Sequence, residues 1–178
     1  NAWIEEVDFD VRVFGAEGED EIPEDVEYLF WVGCAGAFED RAKRTTKAVA
    51  ELLTIAGVNF MVLGEGETCT GDPARRAGNE FLFQMQGMQN VEVLNEIKAK
   101  KIVVTCPHCM NTLGREYPQI GGDYEVVHHS QLLATLVSEG RLTPVTSPDS
   151  GIGEKITYHD PCYLGRHNNV YVPPRDLV

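Results

Sequence analysis

The chain has 178 residues, of which 43% are hydrophobic and 24% charged, and its formal net charge at pH 7 is −13. These values are typical of one globular domain, or of one domain and part of a second. The acidic balance argues against a nucleic-acid partner, because a phosphate backbone requires clustered Lys and Arg.

No apolar run is long enough to span a membrane, no signal-peptide pattern is present, and the chain does not begin with Met. We therefore expect a piece of a longer gene product in a reducing compartment. There, metal-binding or catalytic roles for its five cysteines are favoured over disulfides.

The negative charge is concentrated in residues 1–27, which contain eleven acidic residues and one basic residue, Arg12. The rest of the chain contains seventeen acidic and fourteen basic residues, a net charge of only −3. We expect residues 1–27 to be a separate acidic segment, solvated as a tail or linker.

After this segment, apolar runs alternate with stretches of helical periodicity. Buried strands are predicted at residues 28–32, 58–63, 102–105, 124–128 and 155–159. Helices are predicted at 39–56, from about Pro73 towards Lys98, and from a Ser130 cap to Gly140, with a loop at 143–153. This alternation predicts an α/β fold: a doubly wound, mostly parallel sheet with its ligand site at the carboxyl ends of the strands.

The cysteines fall at the ends of these predicted strands. In chain order they are Cys34 after the first strand, Cys69 in the loop after the second, Cys106 and Cys109 after the third, and Cys162 after the fifth. Four precede a predicted helix start, where free N–H groups and the helix dipole stabilise thiolates. We therefore expect cysteine ligands at the carboxyl ends of the strands.

The spacing of four cysteines predicts the kind of site. Thirty-four residues separate Cys34 from Cys69, thirty-six separate Cys69 from Cys106, and two separate Cys106 from Cys109. One Cys-x-x-Cys pair and two distant cysteines supply the four thiolates of a [4Fe–4S] cluster. We expect these four residues to hold such a cluster for electron transfer.

Two alternatives remain open at this point. A tetrahedral zinc ion needs the same four thiolates, although structural zinc sites usually pair two Cys-x-x-Cys units. Alternatively, the CPHC motif at 106–109 between a strand and a helix fits a thioredoxin-like dithiol oxidoreductase. That interpretation leaves Cys34 and Cys69 without a role and places the motif after the third strand rather than the first or second.

The cysteine motifs resemble the cysteine-rich CCG domain. This domain occurs in the B subunit of heterodisulfide reductase, in iron–sulfur subunits of glycolate and lactate oxidases, and in membrane-bound partners of electron-transfer flavoprotein. The matching stretches, within about residues 28–130, are WVGCAG at 31–36, ETCTGDPARR at 67–76 and TCPHCMNTL at 105–113. ITYHDPCYLGRHN at 156–168 aligns with YLFWVGCAGAFED at 28–40, which indicates the start of a second repeat.

The resemblance implies an acidic segment at 1–27, a first CCG-type repeat at 28–150 and the start of a second repeat at 151–178. In the family the second repeat carries a further cluster, so Cys162 is implied to be the first cofactor ligand of that second site. Within this chain we expect Cys162 to be a plain buried thiol, with His159 and Asp160 as a candidate supporting pair.

One position departs from the family pattern. The family's Cys-Cys-Gly is Cys69-Thr70-Gly71 in this chain. Complete five-cysteine repeats resemble those that hold non-cubane clusters and act directly on disulfides. The four remaining thiolates suffice for a cubane cluster or a zinc ion, so the resemblance implies an electron relay or structural metal rather than disulfide reduction.

The resemblance therefore implies the electron-transfer domain of a larger iron–sulfur oxidoreductase, with no catalytic residue assigned within the chain. The implied partners are a flavoprotein electron donor, further iron–sulfur modules and a membrane unit that reduces quinone, with a quinone- or disulfide-type acceptor. The implied location is the cytoplasm, or the cytoplasmic face of a membrane through other parts of the larger protein. A structural zinc domain that docks such partners remains an alternative.

Overall fold

The computed structural model describes residues 1–145, 155 and 157–178. At its centre is a five-stranded sheet with the order β1-β3-β2-β4-β5, in which every pair of neighbouring strands is parallel. The strands are β1 (Arg12–Val13), β2 (Tyr28–Trp31), β3 (Phe60–Val62), β4 (Lys101–Val104) and β5 (Glu125–His128). The predicted α/β class with a parallel sheet is confirmed.

The described residues form seven α-helices and several shorter helical turns. The α-helices are α1 (Gly33–Phe38), α2 (Asp40–Ile55), α3 (Asp72–Arg76), α4 (Glu80–Glu96), α5 (Pro107–Asn111), α6 (His129–Ser138) and α7 (Val172–Asp176). The 3-10 helices are Ala2–Glu6, Gly64–Gly66 and Tyr117–Ile120, and the π-helical turns are Thr112–Glu116 and Tyr163–His167. None of the helices described here is both long and apolar enough to cross a bilayer.

Two helix boundaries differ from the prediction. The single helix expected from Pro73 is divided, because Gly78 adopts φ +82° and Asn79 then caps α4 by accepting from the N–H of Leu82 at 3.1 Å. The cap of α6 is His128 rather than Ser130, since an imidazole nitrogen of His128 accepts from the Ser130 N–H. A ring nitrogen there replaces the usual hydroxyl or carboxylate acceptor.

Apolar side chains cover both faces of the sheet. Successive strand residues point to opposite faces, so Trp31 and Phe30 enter different clusters. Helices α4 and α5 cover the Trp31 face, and α2 and α6 cover the Phe30 face. This two-sided burial explains why the strands read as continuous apolar runs and is consistent with the doubly wound arrangement predicted from the sequence.

The expectation that the acidic N-terminal segment is a solvated tail or linker is wrong. Trp3 is fully buried, and its ring centroid lies 6.5 Å from that of Phe30. Strand β1 pairs with β3 at the edge of the sheet, with Arg12 beside Met61. The charged side chains of this segment lie on the surface, whereas its apolar residues enter the core. The acidic composition therefore gave no indication that the segment is folded.

The strand predicted at 155–159 is wrong at the described positions, since residues 155 and 157–159 are not in a strand. Residue 156 lies outside the described residues, as does the part of the predicted loop at 146–153. Tyr158 is exposed, so its neighbourhood lacks the two-sided burial of a parallel strand. The observed sheet still has five strands because it includes β1, which was not predicted.

Candidate metal centre

A cavity of about 290 Å³ lies where β2 and β4 end. The sheet register pairs Trp31 with Val104, so the two strands finish at the same level. Four of the five cysteines line this cavity: Cys34, Cys69, Cys106 and Cys109. The structure therefore brings the four predicted ligands to one place from separate loops, and their role as ligands stays a prediction.

The start of α1, which carries Cys34, is held by a carboxylate from a distant part of the chain. Glu67 accepts hydrogen bonds from the N–H groups of Val32 at 2.9 Å and Gly33 at 2.5 Å. Burial raises the pKa of Glu67 to about 7, and the two backbone hydrogen bonds act in the opposite direction. Gly33 has φ +78°, and a Cβ there would lie 3.5 Å from Cys109 Sγ, at the wall of the cavity.

Cys106 and Cys109 shift each other's pKa in opposite directions. The neighbouring Cys109 thiol, together with the backbone N–H groups of Cys109 and His108, lowers the pKa of Cys106 despite its burial. The neighbouring Cys106 and burial raise the pKa of Cys109. Cys106 is therefore the thiol of this pair that ionises first, as a metal ligand or a nucleophile must.

Cys34 lies across the cavity in the first turn of α1. Partial burial raises the pKa of Cys34, and the neighbouring Cys69 and Cys106 raise it further. Thiolates that oppose one another's ionisation in this way are stabilised together by a bound cation or cluster. The electrostatics of the cavity are those of a set of thiols that needs a positive partner.

The backbone around Cys69 is fixed by buried polar side chains. Asn90 donates to the carbonyl oxygen of Cys69 at 2.9 Å and accepts from the Thr68 hydroxyl at 2.7 Å. Tyr117 donates to the carbonyl oxygen of Thr70 at 3.0 Å, and burial raises the pKa of Tyr117 well above its ordinary value. Thr70 itself is only 3% exposed and lines the cavity.

A second polar group, Asp72 at the cavity wall, supports the Cys-x-x-Cys motif. Asp72 is 5% exposed and lies 2.9 Å from Nδ1 of His108, 3.2 Å from Nε of Arg76 and 3.4 Å from the Thr112 hydroxyl, which donates to it. Arg76 also pairs with Glu116. The carboxylate thus connects α3, which follows Cys69, to the helix that contains Cys109.

Cys162 is separate from the other four. Its side chain is exposed, so the expectation of a plain buried thiol is wrong, and it does not line the cysteine cavity. Asp160 pairs with Arg175 rather than with His159. The segment nevertheless packs against the site, because the ring of Tyr163 lies 3.9 Å from that of His108.

The size of the cavity bears on what could occupy it. A tetrahedral zinc site has Zn–S bonds of about 2.3 Å, which places its sulfur atoms about 3.8 Å apart. Among the described residues, no three His, Cys, Asp or Glu side chains converge closely enough to hold one ion. The four thiols line a cavity of about 290 Å³, which has room for a multi-atom cluster.

Three residues at this site were missed by sequence reasoning. Glu67 and Asp72 stand two and three positions from Cys69, and their signals were this adjacency and their place in the ETCTGDPARR stretch. Glu67 follows a short acidic turn that resembles a solvated loop, and its hydrogen-bond partners lie thirty-five and thirty-four positions away. Trp31 reads as an ordinary strand residue, and its only signal as part of the cavity wall was its place in the WVGCAG stretch.

Comparison with known proteins gives related sequences. The chain is 51% identical over 160 residues to the EtfAB:quinone oxidoreductase of Syntrophomonas wolfei, with 88% of this chain and 22% of that protein covered. It is 45% identical over 152 residues to the probable iron-sulfur-binding oxidoreductase FadF of Bacillus subtilis, covering 85% of this chain and 21% of the relative.

A more distant relative is a subunit of the dihydromethanophenazine:CoB--CoM heterodisulfide reductase of Methanosarcina mazei. The identity is 31% over 163 residues, with 88% of this chain and 38% of the relative covered. The chain thus spans about a fifth of the length of the two bacterial relatives. No solved structure matches it.

The cysteine-rich domain family named CCG matches residues 28–114, a range that begins with β2 and contains all four cysteines of the cavity. Residues 28–114 of the chain are therefore a cysteine-rich domain of the CCG family.

Proposed function

We propose that the chain is an electron-transfer domain of a larger iron–sulfur oxidoreductase. The observation that carries this proposal is the meeting of four thiols, from distant parts of the sequence, at one cavity: Cys34, Cys69, Cys106 and Cys109. The similarity to relatives whose names describe quinone-linked and iron–sulfur-binding oxidoreductases supports it.

The cluster type we propose is [4Fe–4S], because four thiolates supply one ligand to each iron. Such a cluster supplies reversible one-electron oxidation and reduction. The chain contributes its own residues to that chemistry. The backbone N–H groups of His108 and Cys109 point to the sulfur of Cys106, and hydrogen bonds to sulfur together with burial set the reduction potential.

Thr70 favours an electron relay over disulfide reduction. It stands where the family has a second adjacent cysteine, and it lines the cavity with only 3% of its surface exposed. A threonine hydroxyl is a poor substitute for a thiolate at a soft iron–sulfur site. The site therefore lacks the fifth thiolate that direct disulfide chemistry uses in the complete repeats it resembles.

The proposed partners follow from the relatives. A flavoprotein donor and a quinone acceptor fit the EtfAB:quinone oxidoreductase, and a disulfide acceptor fits the heterodisulfide reductase relative. The proposed location is the cytoplasm, or the cytoplasmic face of a membrane through other parts of a larger protein. The boundaries of the first repeat, and the role of Cys162 in a second one, stay predictions.

A second candidate function rests on the Cys-x-x-Cys motif at the start of α5 and on the lowered pKa of Cys106. The neighbouring Cys109 thiol lowers the pKa of this N-terminal thiol of the motif, and a lowered pKa of that thiol is typical of dithiol oxidoreductases. In that case the pair would cycle between dithiol and disulfide, and Cys34 and Cys69 would serve only the structure. The two functions differ in which cysteines are needed and in whether iron is bound.

The test is a set of single Cys→Ser variants in the 178-residue chain, purified and reconstituted without oxygen. We expect Cys34→Ser, Cys69→Ser, Cys106→Ser and Cys109→Ser each to lose most bound iron and acid-labile sulfide. Cys162→Ser is the matched control, because Cys162 is outside the cavity, and it should keep both.

The alternatives give different results in the same variants. If the wild type binds stoichiometric zinc without sulfide, and the same four variants lose that zinc, the cavity is a structural zinc site and the cluster proposal is rejected. If neither metal is bound, and only Cys106→Ser and Cys109→Ser abolish a reversible disulfide, the dithiol function is correct and the cluster proposal is rejected.

A further inference from the structure

Trp31 is a buried donor at the wall of the cysteine cavity. It is the last residue of β2, is 1% exposed, and packs in the same cluster of side chains as Cys109. Trp31 lines the cavity together with the four cysteines. Its indole Nε1 is buried and has no hydrogen-bond partner within the part of the chain that the structure describes.

An unpartnered indole N–H in such a place is unusual. The large majority of buried polar groups in proteins have a hydrogen-bond partner, and leaving one unsatisfied destabilises the fold. The chain contains a direct comparison, since its other tryptophan, Trp3, is equally buried and donates to Asn1 Oδ1 at 2.9 Å. Trp31 differs from Trp3 in that it lines the cysteine cavity, so an occupant of that cavity is the candidate acceptor.

The chemistry of the lining identifies that acceptor. Two of the other polar lining residues have partners within the chain: Asp72 contacts His108 and Arg76, and the carbonyl oxygen of Thr70 accepts from Tyr117. The remaining lining groups are mainly thiols, and a cluster adds sulfides between them. Sulfur in an iron–sulfur cluster carries negative charge and accepts hydrogen bonds from N–H donors.

We propose that the Trp31 indole N–H donates a hydrogen bond to a sulfur atom of the iron–sulfur cluster held in the cysteine cavity, and thereby raises its reduction potential. This inference rests on the proposed function. Reduction adds one electron to the cluster, so a donor that points at its sulfur stabilises the reduced state more than the oxidised state. Trp31 is a tuning residue, since it carries no electron and ligates no iron.

The first test compares Trp31→Phe with Trp3→Phe in the reconstituted 178-residue chain. Phenylalanine keeps an aromatic ring in each place and removes only the N–H side of the indole. We expect the midpoint potential, measured by redox titration with EPR detection, to become more negative in Trp31→Phe and to stay unchanged in Trp3→Phe. Equal potentials in the wild type and Trp31→Phe would overturn the inference.

A second measurement uses proteins in which the tryptophan is intact at position 31. With ¹⁵N in the indole ring, pulsed EPR of the reduced cluster should show a nitrogen coupling in both the wild type and Trp3→Phe. No such coupling in a wild type that holds its cluster would overturn the inference, even if Trp31→Phe fails to fold. Resonance Raman bands of terminal and bridging Fe–S bonds distinguish a thiolate from a sulfide as acceptor.

The outcomes separate this inference from the function on which it rests. If the wild type binds no iron and sulfide, the proposed function fails and the inference fails with it. If the wild type holds a cluster whose potential is insensitive to Trp31, the function stands and only the inference is rejected.

Discussion

The ring of His108 lies against the ring of Tyr163, with centroids 3.9 Å apart. His108 is inside the Cys-x-x-Cys motif of the cavity, whereas Tyr163 directly follows Cys162. Tyr163 stacks in turn on His167, with centroids 4.2 Å apart and planes 5° from parallel. The segment that begins the predicted second repeat is therefore packed onto the cysteine motif of the first.

This stack predicts that Tyr163 stabilises the fold. Tyr163→Leu should lower the free energy of unfolding by about 1–3 kcal/mol, because aromatic pairs contribute about 0.5–1.5 kcal/mol each beyond burial. Tyr163→Phe keeps the ring and is the control, with stability expected close to that of the wild type. Urea unfolding measures both, and a Tyr163→Leu variant as stable as Tyr163→Phe would show that the stack contributes nothing.

Glu67 is expected to matter for both folding and the cavity. Glu67→Ala leaves the N–H groups of Val32 and Gly33 without their acceptor, so the free energy of unfolding should fall by about 2–4 kcal/mol. The start of α1, which carries Cys34, should loosen, and the iron bound after reconstitution should fall with it. Glu65→Ala, an exposed neighbour in the preceding turn, is the matched control. Equal effects of the two substitutions would contradict the assigned role of Glu67.

Replacing Thr70 by cysteine restores the second adjacent cysteine of the family pattern. Because Thr70 lines the cavity, the new thiol should reach a bound cluster and change its visible absorption and EPR spectra. Thr70→Val has nearly the same shape without a thiol, and its spectra should match those of the wild type. A zinc site would be nearly indifferent to either change, so unchanged spectra in Thr70→Cys speak against a cluster in contact with this position.

Two adjacent histidines give the fold a predictable pH dependence. Burial lowers the pKa of His128 to about 3, with His129 adding to the effect, and burial lowers the pKa of His129 to about 4. Both values lie below the unfolded value of about 6.5, so protonation favours the unfolded chain. The contribution of these two histidines to the free energy of unfolding should be complete above about pH 6.5. Below that pH it should fall, by up to about 1.4 kcal/mol per pH unit for each histidine.

Unfolding by urea between about pH 7.5 and about pH 5 measures this slope, to which Glu67, with its pKa raised to about 7, contributes with the opposite sign. The Nδ1 of His129 is buried without a partner in the described structure. His129→Leu removes one histidine and leaves Glu67 in place, so the slope should fall by the share of one histidine, up to about 1.4 kcal/mol per pH unit. A slope that is the same in the wild type and in His129→Leu would show that His129 does not resist protonation in the folded state.

The sequence was sufficient for four of the five strands and for the prediction that four cysteines lie at one edge of the sheet, while their role as ligands stays a prediction. Parallel strands buried on both faces give unmistakable apolar runs, and their carboxyl ends determine where Cys34 and Cys106 meet. Strand β1 was missed because it has two residues in an acidic segment, and its place at the sheet edge depends on pairing with β3.

The surroundings of the cysteines could not be predicted in the same way. Glu67 contributes through backbone groups more than thirty positions away, and such contacts leave no local pattern. In the sequence Trp31 counts as an apolar residue. Only the folded structure shows that its buried indole N–H has no acceptor among the described residues. The spacing of the cysteines in the sequence predicts which thiols meet. The orientation and hydrogen bonds of the side chains around them are known only from the folded structure.

The central claim is that the cavity holds an iron–sulfur cluster, and elemental analysis tests it most directly. The chain should be purified without oxygen and assayed for iron, acid-labile sulfide and zinc. We expect about four iron and four sulfide per chain, with a broad visible absorption that bleaches on reduction. One zinc per chain with no sulfide would contradict the account.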